Sequence, residues 1–100
     1  MSEFEADIEK WILEKYKNPQ RAKLLLEPLL RLDTAVSKSR IVRCVLVLAE
    51  SDYDSLDVYV SKAMVDFRDI IWMSEYDNRN VRRYDFDVSL YEQESYKYEE

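Results

Sequence analysis

Arg40-Ile-Val-Arg-Cys-Val-Leu-Val-Leu-Ala49 decides the fold, because its β-branched residues give it the propensity of a central strand. Its surroundings overrule that propensity. No second run of comparable composition exists for it to pair with, no glycine-bearing turn flanks it, and the segments on either side carry helical spacing. The segment from Ser37 to Glu50 is therefore read as a helix that is apolar nearly all round, and such a helix belongs in the middle of a bundle.

Working outward toward the N-terminus, Phe4, Ile8, Trp11, Ile12 and Tyr16 share one helical face, with Glu5, Glu9, Lys10 and Glu14 elsewhere. Glu3, Glu5 and Asp7 at its start and Lys15 and Lys17 at its end suit the helix macrodipole. Pro19 disfavours the α region for the residue before it, so this helix stops by Asn18. Asn18 and Pro19 then form the N-cap and first position of a second helix, which buries Ala22, Leu25, Leu26, Leu29 and Leu30. Pro28 lies inside that run and removes one intrahelical hydrogen bond, which predicts a kink or break near Leu24 to Glu27.

Toward the C-terminus, Ser51 with Asp54 three residues on has the form of a capping box, and Asp52 is a second candidate cap. Leu56, Val60, Ala63, Phe67, Ile70, Ile71 and Ser74 then fall on one side of a continuous helix and face the core. Val58, Val65, Trp72 and Tyr76 form a second apolar line on the opposite face. A helix exposed on that face has no reason to carry them, so something covers them. One cover is the chain itself, with residues 81–91 folding back. The other is a second copy or a protein partner, with Trp72 as anchor, since Trp and Tyr are typical hot-spot residues. Beyond Asn78 the period changes: Tyr84, Phe86, Val88 and Leu90 alternate with polar residues as in a strand, while Ser89-x-x-Glu92 can equally open a short helix. Residues 91–100 are polar and expected to fray.

Composition then removes most catalytic chemistry. The chain has 100 residues, with no Gly, no His and one Cys. Without Gly, phosphate-cradling loops and dinucleotide fingerprints are excluded, because both need close backbone approach. Without His there is no imidazole base or ligand, and a lone Cys makes neither an internal disulfide nor a Cys-rich zinc site. No cofactor or metal is implied. The apolar run Val45 to Ala49 is far shorter than the ~20 residues of a membrane span, and Glu3, Glu5 and Asp7 run against a signal peptide. The chain is read as one helical domain, residues 1–100, soluble and cytoplasmic.

Charge is unevenly placed. Residues 50–77 hold two basic and eight acidic side chains, against nine basic and seven acidic in residues 1–49. That distribution runs against a nucleic-acid-binding face. Asp52, Asp54 and Asp57 are the obvious metal candidate, yet a calcium loop beginning at Asp52 wants Gly where Asp57 stands and Glu where Ala63 stands. Carboxylates in a first helical turn suit the dipole, and capping is the better reading. Asp66, Asp69 and Glu75 spread over more than half the helix circumference and read as a solvated face, with Lys62 and Asp66 as an i, i+4 pair. Cys44, among Val42, Val45 and Leu46, reads as a small buried hydrophobe. Arg79, Arg82 and Arg83, with Tyr76 and Tyr84, form the one basic and aromatic cluster, and pairing with the acidic helix neutralises it.

The stretch Arg40-Ile-Val-Arg-Cys-Val-Leu-Val-Leu-Ala-Glu-Ser-Asp-Tyr-Asp-Ser-Leu56, continuing through Asp66-Phe-Arg-Asp-Ile-Ile-Trp72 to Ser74-Glu-Tyr-Asp77, resembles small helical bacterial proteins of unassigned function. The likeness spans residues 40–77. It implies a helical hairpin joined by a capping turn and brings no activity, cofactor or site residue with it.

The expected architecture is all-α, a compact four-helix domain with a C-terminal extension packed on the last long helix. The expected function is a non-enzymatic protein-binding or self-associating domain that uses Val58, Val65, Trp72 and Tyr76 on a protein partner or in a homodimer, with no role for nucleic acid or membrane. The alternative is an acidic antagonist, similar in logic to toxin-immunity proteins or nucleic-acid mimics, whose Asp52, Asp54 and Asp57 occupy a basic site on an enzyme. Salt separates them, since the antagonist weakens with ionic strength and apolar docking does not.

Overall fold

In a computed structural model, which describes residues 4–77 and 79–92, the run Arg40 to Ala49 is helical. It belongs to α3 (Lys38–Ala49), which follows α1 (Ala6–Lys15) and α2 (Pro19–Leu26) and precedes α4 (Tyr53–Glu75). The domain is all-α, with four α-helices and no strand among the described residues. Ile41, Val42, Cys44, Val45 and Leu46 are fully buried, so α3 is the innermost helix, as an apolar circumference demands. Its heaviest packing is against α4.

The local signals behave as physics requires. Asn18 caps α2 by accepting the Arg21 N–H at 3.2 Å, with Pro19 in the first turn. Pro28 ends α2 at Leu26, and the chain continues as a 3-10 turn over Glu27–Arg31. Ser37 caps α3.

The turn from α3 to α4 places Glu50 (φ 49°) and Ser51 (φ 69°) in the left-handed region, which favours glycine, and this chain has none. Ser51 therefore does not open a capping box. The cap is Asp52, whose carboxylate accepts the Ser55 N–H at 2.9 Å and the Ser55 hydroxyl at 2.8 Å.

α4 is not the single rod that its spacing predicts. Asp66 sits inside it with extended backbone (φ −156°, ψ 98°). Its carboxylate accepts the Arg68 N–H at 3.1 Å, so Asp66 caps the second half of α4 as an N-cap would. The same carboxylate pairs with the Arg68 guanidinium at 3.0 Å, in place of the i, i+4 pair with Lys62. The inward stripe survives the break: Leu56, Val60, Ala63, Ile70 and Ser74 are buried, and Phe67 and Ile71 partly so.

The C-terminal extension is held at the end of α4, where the Glu75 carbonyl accepts the N–H groups of Arg83 (2.6 Å) and Tyr84 (3.2 Å). It then crosses to α1, with Phe86 and Leu90 in the core and Leu90–Glu92 forming a 3-10 turn. Tyr84 to Leu90 is thus neither strand nor α-helix. The fraying expected of residues 91–100 lies, from residue 93 onward, outside the described residues.

Candidate functional site

Two places gather side chains whose chemistry the core does not explain. The first is a buried ionic cluster. Because α3 is surrounded by protein, Arg40 and Arg43 on it need carboxylates from their neighbours. Glu75, fully buried at the end of α4, meets the Arg40 fork: Nε donates to Oε2 and Nη2 to Oε1, both at 2.8 Å. Arg82 Nη2 (3.0 Å) and the Phe86 N–H (3.2 Å) complete the shell of that carboxylate. Arg43 donates to Asp7 through Nε (2.9 Å) and Nη2 (3.1 Å), to Glu5 (3.0 Å) and to the Phe86 carbonyl (3.0 Å). Asp7 also accepts the Leu90 N–H at 2.9 Å. Burial works to raise the Asp7 pKa, but hydrogen bonds from Arg43 and Leu90 outweigh it and hold the carboxyl below its ordinary value.

This cluster corrects the reading of Glu75 as part of a solvated face. Its signal lay in the sequence: two arginines interrupting an otherwise apolar helix require buried partners. Cys44 donates weakly to the same Glu75 carboxylate at 3.9 Å, and burial, foremost, pushes its thiol up to about 12. It is the buried hydrophobe the sequence indicates, and its thiolate is not populated near neutral pH. Every oxygen of the Glu75 side chain is occupied by donors from the chain itself. The cluster clamps the extension to the bundle.

The arginines after α4 are likewise engaged. Arg82 bridges Glu75 and Asp85, and Arg83 pairs with Asp77 at 2.8 Å. Asp77 also accepts the N–H groups of Val81 and Arg79, and these hydrogen bonds, Val81's foremost, lower its pKa to about 2.

The second place is the outer face of α4. Residues 81–91 cross toward α1 and leave it open: Val58 is 50% exposed, Val65 87% and Trp72 52%. Tyr76 is partly buried. The break at Asp66 divides the four between two segments, so they do not form one straight stripe. Trp72 and Tyr76 come together with Leu48, Met73 and Asp77 around a groove of about 290 Å³. The Trp72 indole N–H donates to Asn80 Oδ1 at 3.1 Å, which fixes the ring on the rim of the groove. Val65 borders a neighbouring groove of about 230 Å³ that shares Met73. Val58 lines neither. Met73, exposed, lines both grooves, and sequence spacing missed it because it does not fall on the far-face line.

Of the acidic candidates, Asp52 is used as a cap, whereas Asp54 and Asp57 are exposed. Among the described residues no group of three or more His, Cys, Asp or Glu side chains is placed to hold a metal ion. None of the described helices is long and apolar enough to cross a membrane. Compared with protein families, characterised proteins and solved structures, the chain matches none.

Proposed function

We propose that this chain is a non-enzymatic binding domain of the cytoplasm whose working surface is the outer face of α4. It docks there on a protein, either another chain or a second copy of itself. The observation that carries this reading is Trp72, half-exposed in an apolar groove with Leu48, Met73 and Tyr76. A large aromatic fixed by a hydrogen bond beside a hollow has the character of an interface anchor, since little side-chain entropy is lost when it is covered. Of the arginines that nucleic acid would need, Arg82 is tied to Glu75 and Asp85 and Arg83 to Asp77.

The test compares proteins cross-linked to the wild type and to Trp72→Ala in cells. The expected result is loss of the cross-linked product, self-adduct included, in the variant, with an unchanged far-UV circular dichroism spectrum. The same product in both would refute the reading.

The acidic-antagonist reading draws on Asp54 and Asp57, which are exposed in the first turns of α4 and make no ion pair among the described residues. Under it, Asp54→Asn with Asp57→Asn abolishes binding and Trp72→Ala does not.

A further inference from the structure

The C-terminal extension buries little of itself. Of residues 82–92 only Phe86 and Leu90 are buried, while Tyr84, Val88 and Tyr91 stay 39–43% exposed. Two buried side chains along such a run mark a segment that opens before the bundle does, because every ordered residue carries its own entropic cost.

Beyond Tyr84 the bundle uses side chains to grip the segment by its main chain. Glu75 Oε2 accepts the Phe86 N–H (3.2 Å), Arg43 Nη1 donates to the Phe86 carbonyl (3.0 Å) and Asp7 Oδ2 accepts the Leu90 N–H (2.9 Å). Each grip is set in place by a partner outside the segment. The Arg40 fork fixes Glu75. Asp7 and Glu5 fix Arg43 through Nε and Nη2, which leaves Nη1 for the segment. The three grips therefore keep their aim when the segment departs, as a preorganised binding site does.

Main-chain contacts give such a site affinity, and side chains at a few positions give it selectivity. Phe86 and Leu90, four residues apart, fill the core, and Asp87 Oδ2 stands 4.0 Å from Arg40 Nη1. The seat thus fits an aromatic residue, a carboxylate directly after it and an aliphatic residue four positions on. We infer that the seat built by Asp7, Arg40, Arg43 and Glu75 is a peptide-binding site for a segment of another protein with this pattern, and that the chain's own extension fills it until displaced. None of these four residues lines the grooves on the outer face of α4, and the inference stands without the docking assigned to that face.

The probe is a fluorescent peptide with the sequence of residues 82–92, titrated with the full chain and followed by anisotropy. Phe86→Ala with Leu90→Ala in the chain, which weakens its own extension, is expected to bind the peptide at least tenfold more tightly than the wild type. Leu90→Ala alone serves if the double variant is unfolded by circular dichroism. N-methylation of the peptide at the Phe86 nitrogen, the donor to Glu75, is expected to weaken binding at least tenfold, as is N-methylation at the Leu90 nitrogen, the donor to Asp7. A peptide with Val88→Ala is expected to bind within twofold of the parent. In the wild-type chain, the Phe86 and Leu90 amides are expected to exchange with solvent together, at least a hundredfold faster than those of Val42 to Leu46 in α3, as read by NMR.

Absence of binding to the folded variant overturns the inference, as does binding indifferent to both N-methyl groups. Phe86 and Leu90 amides as protected as those of α3 overturn it too, because the segment then does not leave its seat while the bundle is folded. A wild-type dimer dissolved by the peptide overturns the assignment to another protein, since the extension of a second copy then fills the seat.

Discussion

Replacing Glu75 by Ala removes the acceptor of four N–H groups, from Arg40 Nε and Nη2, Arg82 Nη2 and Phe86. Breaking a buried ion pair from one side costs roughly 3–5 kcal/mol, most of it the burden of the charge left behind. Here the stranded guanidiniums keep some water access, with side-chain exposures of 22% for Arg40 and 37% for Arg82, which places the expected loss at the lower end, about 3 kcal/mol. Against a domain stability of roughly 5–15 kcal/mol this is a large fraction, equivalent to a melting temperature lower by roughly 12–24 °C. Glu75→Gln keeps the shape and one acceptor oxygen while turning an NH2 toward donors, and should lose about half as much. Urea unfolding followed by far-UV circular dichroism reads these differences from midpoint shifts at constant slope. A third variant, Arg40→Leu with Glu75→Leu, removes both charges of the fork and should recover part of the loss. If Glu75→Ala unfolds within about 1 kcal/mol of the wild type, the clamp does not hold the extension and the account of the cluster is wrong.

Four further outcomes follow from particular atoms. The Tyr16 hydroxyl is buried with no hydrogen-bond partner among the described residues, so Tyr16→Phe should unfold no more easily than the wild type, and as much as about 1 kcal/mol less easily, in the same urea assay. Burial, then Asp52 and Tyr53, raises the Tyr16 pKa to about 12. Its neutral form is favoured in the folded state, so its contribution is fully present below pH ~10 and is lost as pH rises toward about 12; Tyr16→Phe should flatten that alkaline decline in melting temperature. Glu50→Gly relieves a left-handed backbone and should raise stability by about 0.5–1 kcal/mol after the entropy glycine adds to the unfolded chain, whereas a melting temperature lowered by the change would contradict the assigned conformation. Asp7 and Asp77 have folded pKa values below the ordinary one, Asp77 at about 2, so their contribution is present above pH ~4 and disappears on acidification toward about 2; Asp77→Asn should shrink that acid-side decline in a series of melts.

The helical reading of Arg40 to Ala49 was available from the sequence because a run with no partner strand must satisfy its own backbone, and α3 does so. Asn18, Pro19, Pro28 and the buried Cys44 were equally legible, since a cap, a missing N–H and a thiol among Val and Leu act within a few residues of themselves. The inward stripe of α4 was also legible, as a matter of period. The break at Asp66 was not. It arises where a carboxylate takes over the Arg68 N–H, in competition with a helical backbone that the spacing alone favours. Nor was the cover of Val58, Val65 and Trp72 decidable from spacing, which says that a side chain faces away from one core but not whether the remaining chain reaches it.

Local chemistry by itself determined which four segments are α-helices and that α3 lies innermost, because period, caps and composition act among neighbours within about one helical turn. Only the tertiary structure decided that Glu75 is buried between Arg40 and Arg82, that the extension crosses to Asp7 on α1, and that the outer face of α4 stays open. Those pairings join residues 35, 7 and 83 positions apart, and whether a donor and an acceptor at such separations meet is set by how the whole core packs rather than by any repeat in the chain.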